Sequence, residues 1–266
     1  MRSWLIDKPR DGIAATGEMA KFFGTVLGEV FGGRVFRFFG EALRQCGVLI
    51  LGSTLVIWTL TFILGLTCGI EGAYFFRSVG APAYSGVFTA WCNLRELTPY
   101  AFGYMLSAKV GTGLVAEIGA MRITDEVDAL EVMGISSMTF LCGTRMLAAF
   151  LVFPVMYIGA LGAGFFGSYL AVVQQIAEVS SGGFFLIFWM FQNPVDLIFS
   201  TIKGYMMAIV VVLVGLYYGY TAGGGPVGVG TATAKSMVLN LVAVHLIGAM
   251  GTQVFWGASP RAPIGG

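Results

Sequence analysis

Val48-Leu49-Ile50-Leu51-Gly52-Ser53-Thr54-Leu55-Val56-Ile57-Trp58-Thr59-Leu60-Thr61-Phe62-Ile63-Leu64-Gly65-Leu66-Thr67-Cys68-Gly69-Ile70 carries no charged side chain. It exceeds the roughly 20 apolar residues that a helix needs to cross a hydrocarbon core about 30 Å thick. Further runs of the same character cover 82–108, 146–173, 204–221 and 236–257. In lipid every backbone N–H and C=O must be satisfied within the segment or a closed barrel, so such runs are helices. The expectation is an all-α integral membrane protein with five transmembrane helices. The fourth is the weakest of them, because Phe184 to Phe191 before it is apolar but short and reads as an external interfacial or re-entrant piece.

Composition points the same way. Of 266 residues, 57% are hydrophobic and 11% charged, against about 25% charged in a typical soluble domain. Those few charges would not cover a soluble surface. The net charge of +1 leaves no basic footprint for nucleic acid. Cys46, Cys68, Cys92 and Cys142 have no metal-ligand spacing and read as small packing residues. No linker or internal repeat divides the chain, so 1–266 reads as one domain. The first 45 residues mix charges of both signs and contain no apolar core of a secretory leader.

Lys and Arg set the expected orientation. The leader holds Arg2, Lys8, Arg10, Lys21, Arg34, Arg37 and Arg44, the loop after the second span holds Lys109, Arg122 and Arg145, and 174–193 holds none. The N-terminus and the 109–145 loop are therefore expected inside and the C-terminus outside. Over 13–45, Phe22, Phe23, Val26, Leu27, Val30 and Phe31 recur at helical spacing, with Lys21, Thr25 and Glu29 between them. This is the pattern of an interfacial elbow helix lying on the membrane, or of a helix packed on the protein's own inner face.

The inner loop contains Ala116-Glu117-Ile118-Gly119-Ala120-Met121-Arg122-Ile123-Thr124-Asp125-Glu126-Val127-Asp128-Ala129-Leu130-Glu131-Val132-Met133-Gly134-Ile135. Thr124 suits an N-cap, acids fill the first turn, and Gly134 suits a stop. A short helix over 122–134 follows, with Val127, Leu130 and Met133 or Ile123 on its apolar face. A solvated acidic loop is the plain alternative. Amphipathicity, and a Gly-rich approach that pins the helix between two long spans, favour a peg gripped by a cytosolic partner.

Within the second span, Arg95 and Glu96 are followed by Leu97-Thr98-Pro99. Lys109 marks the inner edge fourteen residues on, about 21 Å at 1.5 Å per residue. The pair thus falls in the outer half of the membrane, where charge is costly unless paired or hydrated. Neighbours on a helix point about 100° apart, so other partners are required. They are either a lock to a neighbouring helix or a polar contact for a lipid head group at a cavity mouth. Pro99 removes a backbone hydrogen bond and is expected to kink the helix. Asp196 and Lys203, at the start of the fourth span, read as interfacial anchors.

Gly223-Gly224-Gly225-Pro226-Val227-Gly228-Val229-Gly230 lacks the Lys-Ser/Thr ending of a phosphate loop and reads as a turn. His245, the single histidine, reads as a hydrogen-bonded core residue. No nucleophilic triad or zinc site can be assembled around one histidine. Gly159-Ala160-Leu161-Gly162-Ala163-Gly164 lets helices approach closely.

Three segments together resemble the MlaE/YrbE permease family, the membrane subunits of Mce-associated ABC transporters. They are Arg95-Glu96-Leu97-Thr98-Pro99; the stretch from Val110-Gly111-Thr112-Gly113 through Glu117 to Gly134-Ile135; and Tyr217-Tyr218-Gly219-Tyr220 leading to Val227-Gly228-Val229-Gly230. The likeness covers nearly the whole chain. It implies a permease paired with a second copy or a paralogue, two ABC ATPase subunits inside, and Mce-domain proteins outside, in a bacterial inner membrane. Phospholipid, fatty acid or sterol would be the cargo. No cofactor or metal would be bound by this chain, which would not itself be an enzyme; ATP and Mg would sit in the partner ATPase. By the same resemblance, 122–134 is a coupling helix with Glu117, Arg122, Asp125, Glu126, Asp128, Leu130, Glu131 and Met133 at the ATPase contact. Arg95, Glu96, Leu97 and Pro99 would line a lipid pocket. Asp125 stands where many relatives carry Glu. An ion-driven carrier using Glu96, or a scaffold without transport, are the competing readings. Five spans without an inverted repeat weigh against the carrier.

Overall fold

The computed structural model describes residues 2–259, with side chains from residue 14 onward. The described residues form helices and no strand: α1 (Arg2–Phe31), α2 (Phe39–Ser78), a helical run α3 (82–123), α4 (Glu126–Val132), α5 (Met138–Ile176), α6 (Ser181–Met190), α7 (Pro194–Tyr220) and α8 (Gly225–Trp256). Four stretches are long and apolar enough to cross a membrane: Arg34–Ser78, Met138–Ile176, Pro194–Tyr220 and Gly225–Trp256. They contain the expected spans 48–70, 146–173, 204–221 and 236–257. The expected span 82–108 lies in α3 and is not among them. There α-helical stretches alternate with π-helical ones at Thr89–Leu97 and Ser107–Gly111, and Arg95, Glu96 and Lys109 interrupt the apolar pattern.

The expected elbow helix over 13–45 is broken. At Gly33 the backbone turns left-handed, with φ of 77°, and Arg34–Phe38 form a 3-10 turn before α2. Only glycine adopts such a φ without steric cost, so the Gly32-Gly33 pair fixes the elbow. The apolar face of α1 meets the protein itself. Val26 and Val30 are buried, and the ring of Phe22 lies 5.5 Å from that of Tyr217 and 5.8 Å from that of Tyr220. Phe31 is the exception and stays exposed.

α2 and α5 approach until their backbones touch. A Cβ at Gly65 would lie 2.1 Å from the Gly164 carbonyl oxygen, and Ser168 Oγ donates to Gly65 O at 2.7 Å. Small residues are what permit this approach when helices associate in lipid. Phe102 of α3 is fully buried at the centre, with its ring edge-on to Tyr157 of α5 at 5.2 Å. α7 and α8 close the other side of α3, where Gly103 meets Val244 and Gly111 meets Asn240. α6 is the short apolar piece expected near 184–191; it buries Phe184 and Phe188 against the body.

The Gly223–Gly230 turn is shorter than expected. Gly224 and Gly225 turn the chain with φ of 79° and 70°, and Pro226 then opens α8, so Val227-Gly228-Val229-Gly230 is helical. Pro fits a first helical turn because its missing N–H has no partner there.

Candidate functional site

Pro99 organises a polar lattice inside the apolar bundle. It has no N–H to donate to the carbonyl four residues back, Arg95, or five back, Leu94. The backbone widens to π-helical geometry over Thr89–Leu97 ahead of it. Both carbonyls are served from α7 instead: Ser200 Oγ donates to Leu94 O, and Lys203 Nζ donates to Arg95 O at 2.9 Å. Asp196, Ser200 and Lys203 recur at i, i+4 and i+7, so one face of α7 supplies all three.

The same face resolves Arg95 and Glu96, which point apart and find separate partners. Arg95 donates to Asp196 Oδ2 at 2.6 Å, and Trp256 Nε1 of α8 donates to Asp196 Oδ1 at 3.0 Å. The Arg95 guanidinium also sits 4.6 Å from the ring centre of Trp91 and 5.4 Å from that of Trp256. Lys203 donates to Glu96 Oε2 at 2.8 Å and to Thr252 Oγ1 at 2.7 Å, while Thr252 Oγ1 donates to Glu96 Oε1 at 2.6 Å. All three ammonium protons of Lys203 are therefore used. A glycine at 251 leaves room for the lysine stem, since a Cβ there would lie 3.2 Å from Lys203 Cγ.

Asp196 and Lys203 are thus not interfacial anchors. Their side chains are 1% and 0% exposed, and they neutralise the charges of α3 within the bundle. Snorkelling to the interface is unnecessary where a buried carboxylate and two further acceptors lie within reach. Arg95 is nearly sealed at 11%, whereas the Glu96 side chain is 39% exposed. Pro99 is buried and Leu97 half-buried. His245 is exposed rather than in the core. It is hydrogen-bonded as expected, with Tyr104 Oη 2.9 Å from its Nε2 and Leu241 O 2.8 Å from its Nδ1.

Beside the lattice lies an apolar cavity of about 510 Å³ between the end of α5 and α6, lined by Phe165, Phe166, Tyr169, Phe184, Phe185, Phe188, Trp189, Gln192 and Leu197. None of Arg95, Glu96, Leu97 or Pro99 lines it. Trp91, under Arg95, donates its Nε1 to Phe191 O at 3.2 Å and packs its ring on Phe191 at 5.4 Å, next in the chain to Gln192 of the cavity wall.

At the other end of α3 the chain turns into α4. The helix expected over 122–134 is confined to Glu126–Val132. Thr124 is not its N-cap; it ends α3, its Oγ1 3.0 Å from Ala120 O and 3.1 Å from Glu126 Oε1. Asp125 occupies the cap position with φ of 59° and no side-chain cap bond. Aspartate tolerates this left-handed conformation better than most side chains, which is why the chain can reverse here without glycine. Gly134, with φ of 75°, ends the turn as expected.

α4 is anchored on one side and open on the other. Val127 is buried and Leu130 half-buried, while Asp128 accepts from Arg122 Nη1 at 2.6 Å. Glu131 Oε1 accepts from the Ser137 N–H at 2.7 Å and from Ser137 Oγ at 2.6 Å. These two bonds hold the Glu131 carboxyl below the usual carboxylate range. Tyr220 of α7 lies 2.9 Å from Ser137 Oγ and packs on Phe22 of α1, so the turn after α4 is tied to both helices. Glu117 is held elsewhere, by Arg145 Nη2 of α5 at 2.6 Å. Asp125 and Glu126 are exposed, and Val132 and Met133 are 88% and 65% exposed, an apolar pair on an acidic helix. Sequence reasoning does not find Ser137, Ser200, Thr252 or Trp256, and it reaches Tyr220 only as part of the Tyr217–Tyr220 segment. Hydroxyls and an indole within apolar helices carry no spacing that marks them; only the opposite charges of Asp196 and Lys203, one helix face apart, could have pointed to the lattice.

The family described as Permease MlaE matches residues 42–254. A probable ABC transporter permease protein of Rickettsia bellii is 26% identical over 219 residues, covering 82% of this chain and 84% of its own. The intermembrane phospholipid transport system permease protein MlaE of Haemophilus influenzae is 27% identical over 240 residues, 89% of each. The chloroplastic protein TRIGALACTOSYLDIACYLGLYCEROL 1 of Arabidopsis thaliana is 25% identical over 206 residues, 77% of this chain and 58% of its own. With four-fifths of its length matched by one family, and with helices apolar enough to span a bilayer, this multi-pass membrane chain belongs to the MlaE permease family.

Proposed function

We propose that this chain is the membrane subunit of an ATP-driven transporter of phospholipid or a related lipid between envelope layers, with ATP bound and hydrolysed by separate ABC ATPase subunits. The observation that carries the reading is α4, a short acidic helix fastened through Arg122, Val127 and Ser137 with Val132 and Met133 bare. A contiguous apolar pair at the tip of a charged peg is costly to leave in water and suits a partner's groove. Glu117, Arg122, Asp125, Glu126, Asp128, Leu130, Glu131 and Met133 form the coupling region: the exposed acids and Met133 touch the ATPase, and Glu117 and Arg122 hold the frame. α3 crosses as a fifth span, its charges compensated by α7 and α8, which leaves the N-terminus and α4 inside and the C-terminus outside. A second permease copy or paralogue and Mce-domain proteins complete the assembly.

Lipid is met at the outer end of α3. The aromatic cavity accepts acyl chains, and Glu96, the open member of the lattice, faces the head group, with Arg95, Leu97 and Pro99 shaping the mouth. The transporter reading is preferred to an ion-driven carrier because one relative is named a probable ABC transporter permease and another a phospholipid transport system permease.

Met133→Asp tests the coupling. The side chain is exposed, so the fold should survive, while co-purification of the ATPase and ATP-dependent lipid transfer should both fall at least tenfold. Intact ATPase binding and transfer in this variant and in Glu126→Lys/Asp128→Lys would remove α4 from the interface.

A further inference from the structure

A second lipid-facing feature lies at the elbow, away from the lattice. A cavity of about 540 Å³ opens between the 3-10 turn and the start of α5, with Arg34 and Arg37 on one wall and Ser136 and Thr139 on the other. Its charge is unbalanced. Glu29 is the carboxylate in contact with it; one of its oxygens lies 2.9 Å from Arg34 and the other accepts from Thr139 Oγ1 at 2.7 Å. Arg37 makes no hydrogen bond or ion pair among the described residues. The Thr139 proton goes to Glu29, so Ser136 Oγ donates to Thr139 Oγ1 across their 3.1 Å contact. Two guanidinium groups around one open space, one of them without a carboxylate partner, are the donor set of a phosphate site.

The rim identifies the source of the phosphate. Phe36 and Phe39 are 59% and 43% exposed, and Phe31 is 77% exposed; all three lie within the same elbow, immediately before the apolar stretch of α2. Exposed phenylalanines beside arginines at the end of a spanning helix belong at the lipid interface, where basic residues attract anionic head groups. At that interface the phosphate within reach of the arginines is the one carried by a lipid head group.

We infer that the cavity between Arg34–Phe38 and residues 134–139 binds the phosphate of an anionic lipid head group, from the leaflet on the α4 side of the membrane. The site rests on the spanning arrangement proposed above but not on transport. It is separate from the cargo path, and it reaches Gly134, two residues beyond Val132, where α4 stops. Anionic lipid there fixes the elbow against the turn that carries α4.

The test is native mass spectrometry of the full-length protein with equal amounts of phosphatidylglycerol and phosphatidylcholine, with and without inorganic phosphate. The wild type should retain phosphatidylglycerol preferentially. Arg37→Gln should cut that preference about fivefold, the equivalent of about 1 kcal/mol for one arginine near a charged lipid. Arg37→Lys should keep most of it. No preference in the wild type, or one unchanged in Arg37→Gln, would overturn the site. Displacement of the lipid by inorganic phosphate would overturn the lipid as its source. ATP-dependent transfer measured alongside separates this result from the transporter reading, since that reading survives loss of the elbow site.

Discussion

Lys203→Met removes the ammonium at the centre of the lattice while keeping a stem of similar length. Three bonds go with it. Arg95 O loses a charged donor, a hydrogen bond of a kind worth about 1.5–3 kcal/mol. It cannot recover the missing bond from its own helix, because residue 99 is proline. Glu96 loses its cation, but its side chain is 39% exposed, so that pair is screened and adds at most about 1 kcal/mol. The Thr252 hydroxyl loses a bond from the same ammonium, worth about 1.5–3 kcal/mol. Together the variant should be destabilised by about 3–7 kcal/mol, which at about 2–4 °C per kcal/mol is a fall in melting temperature of about 6–28 °C. The cycle with Pro99→Ala isolates the capping argument. Alanine restores an N–H for Arg95 O, so Lys203→Met should cost about 1.5–3 kcal/mol less in that background. Thermal unfolding of the detergent-solubilised chain, followed by fluorescence-detected size exclusion, reads all four species. Additivity within about 0.5 kcal/mol would refute the idea that Lys203 replaces the bond that Pro99 removes.

Other perturbations probe the frame and the peg. Gly65→Ala drives a methyl against the Gly164 carbonyl; overpacking of about 1–3 kcal/mol should lower the melting temperature by about 2–12 °C, whereas Gly47→Ala, with open space around it, should not lower it. Asp196→Ala should destabilise more than Arg95→Leu/Asp196→Leu, because the single variant strips the carboxylate from a nearly sealed guanidinium; unfolding curves with the order reversed would count against the lattice. Because Ser137 depresses the Glu131 carboxyl, the anchored turn gains stability above the ordinary carboxylate range and loses it as pH falls through the lowered value. Amide protection at Ser137 should therefore hold at neutral pH and weaken only in acid, and Glu131→Gln should lose that dependence; protection that falls near neutral pH would contradict the assignment.

The spans were legible because length and lack of charge are all that a bilayer demands of a helix. α3 shows where that criterion stops: the residues that matter most in it are the ones that break the apolar pattern. Arg95 and Glu96 stood out, and the geometry of adjacent helical positions required separate partners for them. Asp196 and Lys203 are visible as charges but read as interfacial, because a single sequence does not show which helix faces which. The α1 stripe from Phe22 to Val30 was legible as a buried face, but periodicity does not distinguish a lipid surface from the protein's own flank. At α4, Thr124 has cap chemistry, yet the chain reverses at Asp125, a matter of backbone torsion that composition does not encode. The elbow break is carried by Gly32-Gly33, a pair that the continuous apolar stripe around it masks.

The proposed role requires a separate ATPase to drive lipid movement through this chain. Its most direct measurement is transfer of fluorescent phospholipid between the assembly, purified from its native membrane and reconstituted in proteoliposomes, and an acceptor, with and without ATP. Transfer that requires ATP, and is lost in Met133→Asp while the chain remains folded, is the expected result. Transfer that proceeds at the same rate without ATP and without the ATPase, or that follows an ion gradient, would contradict it.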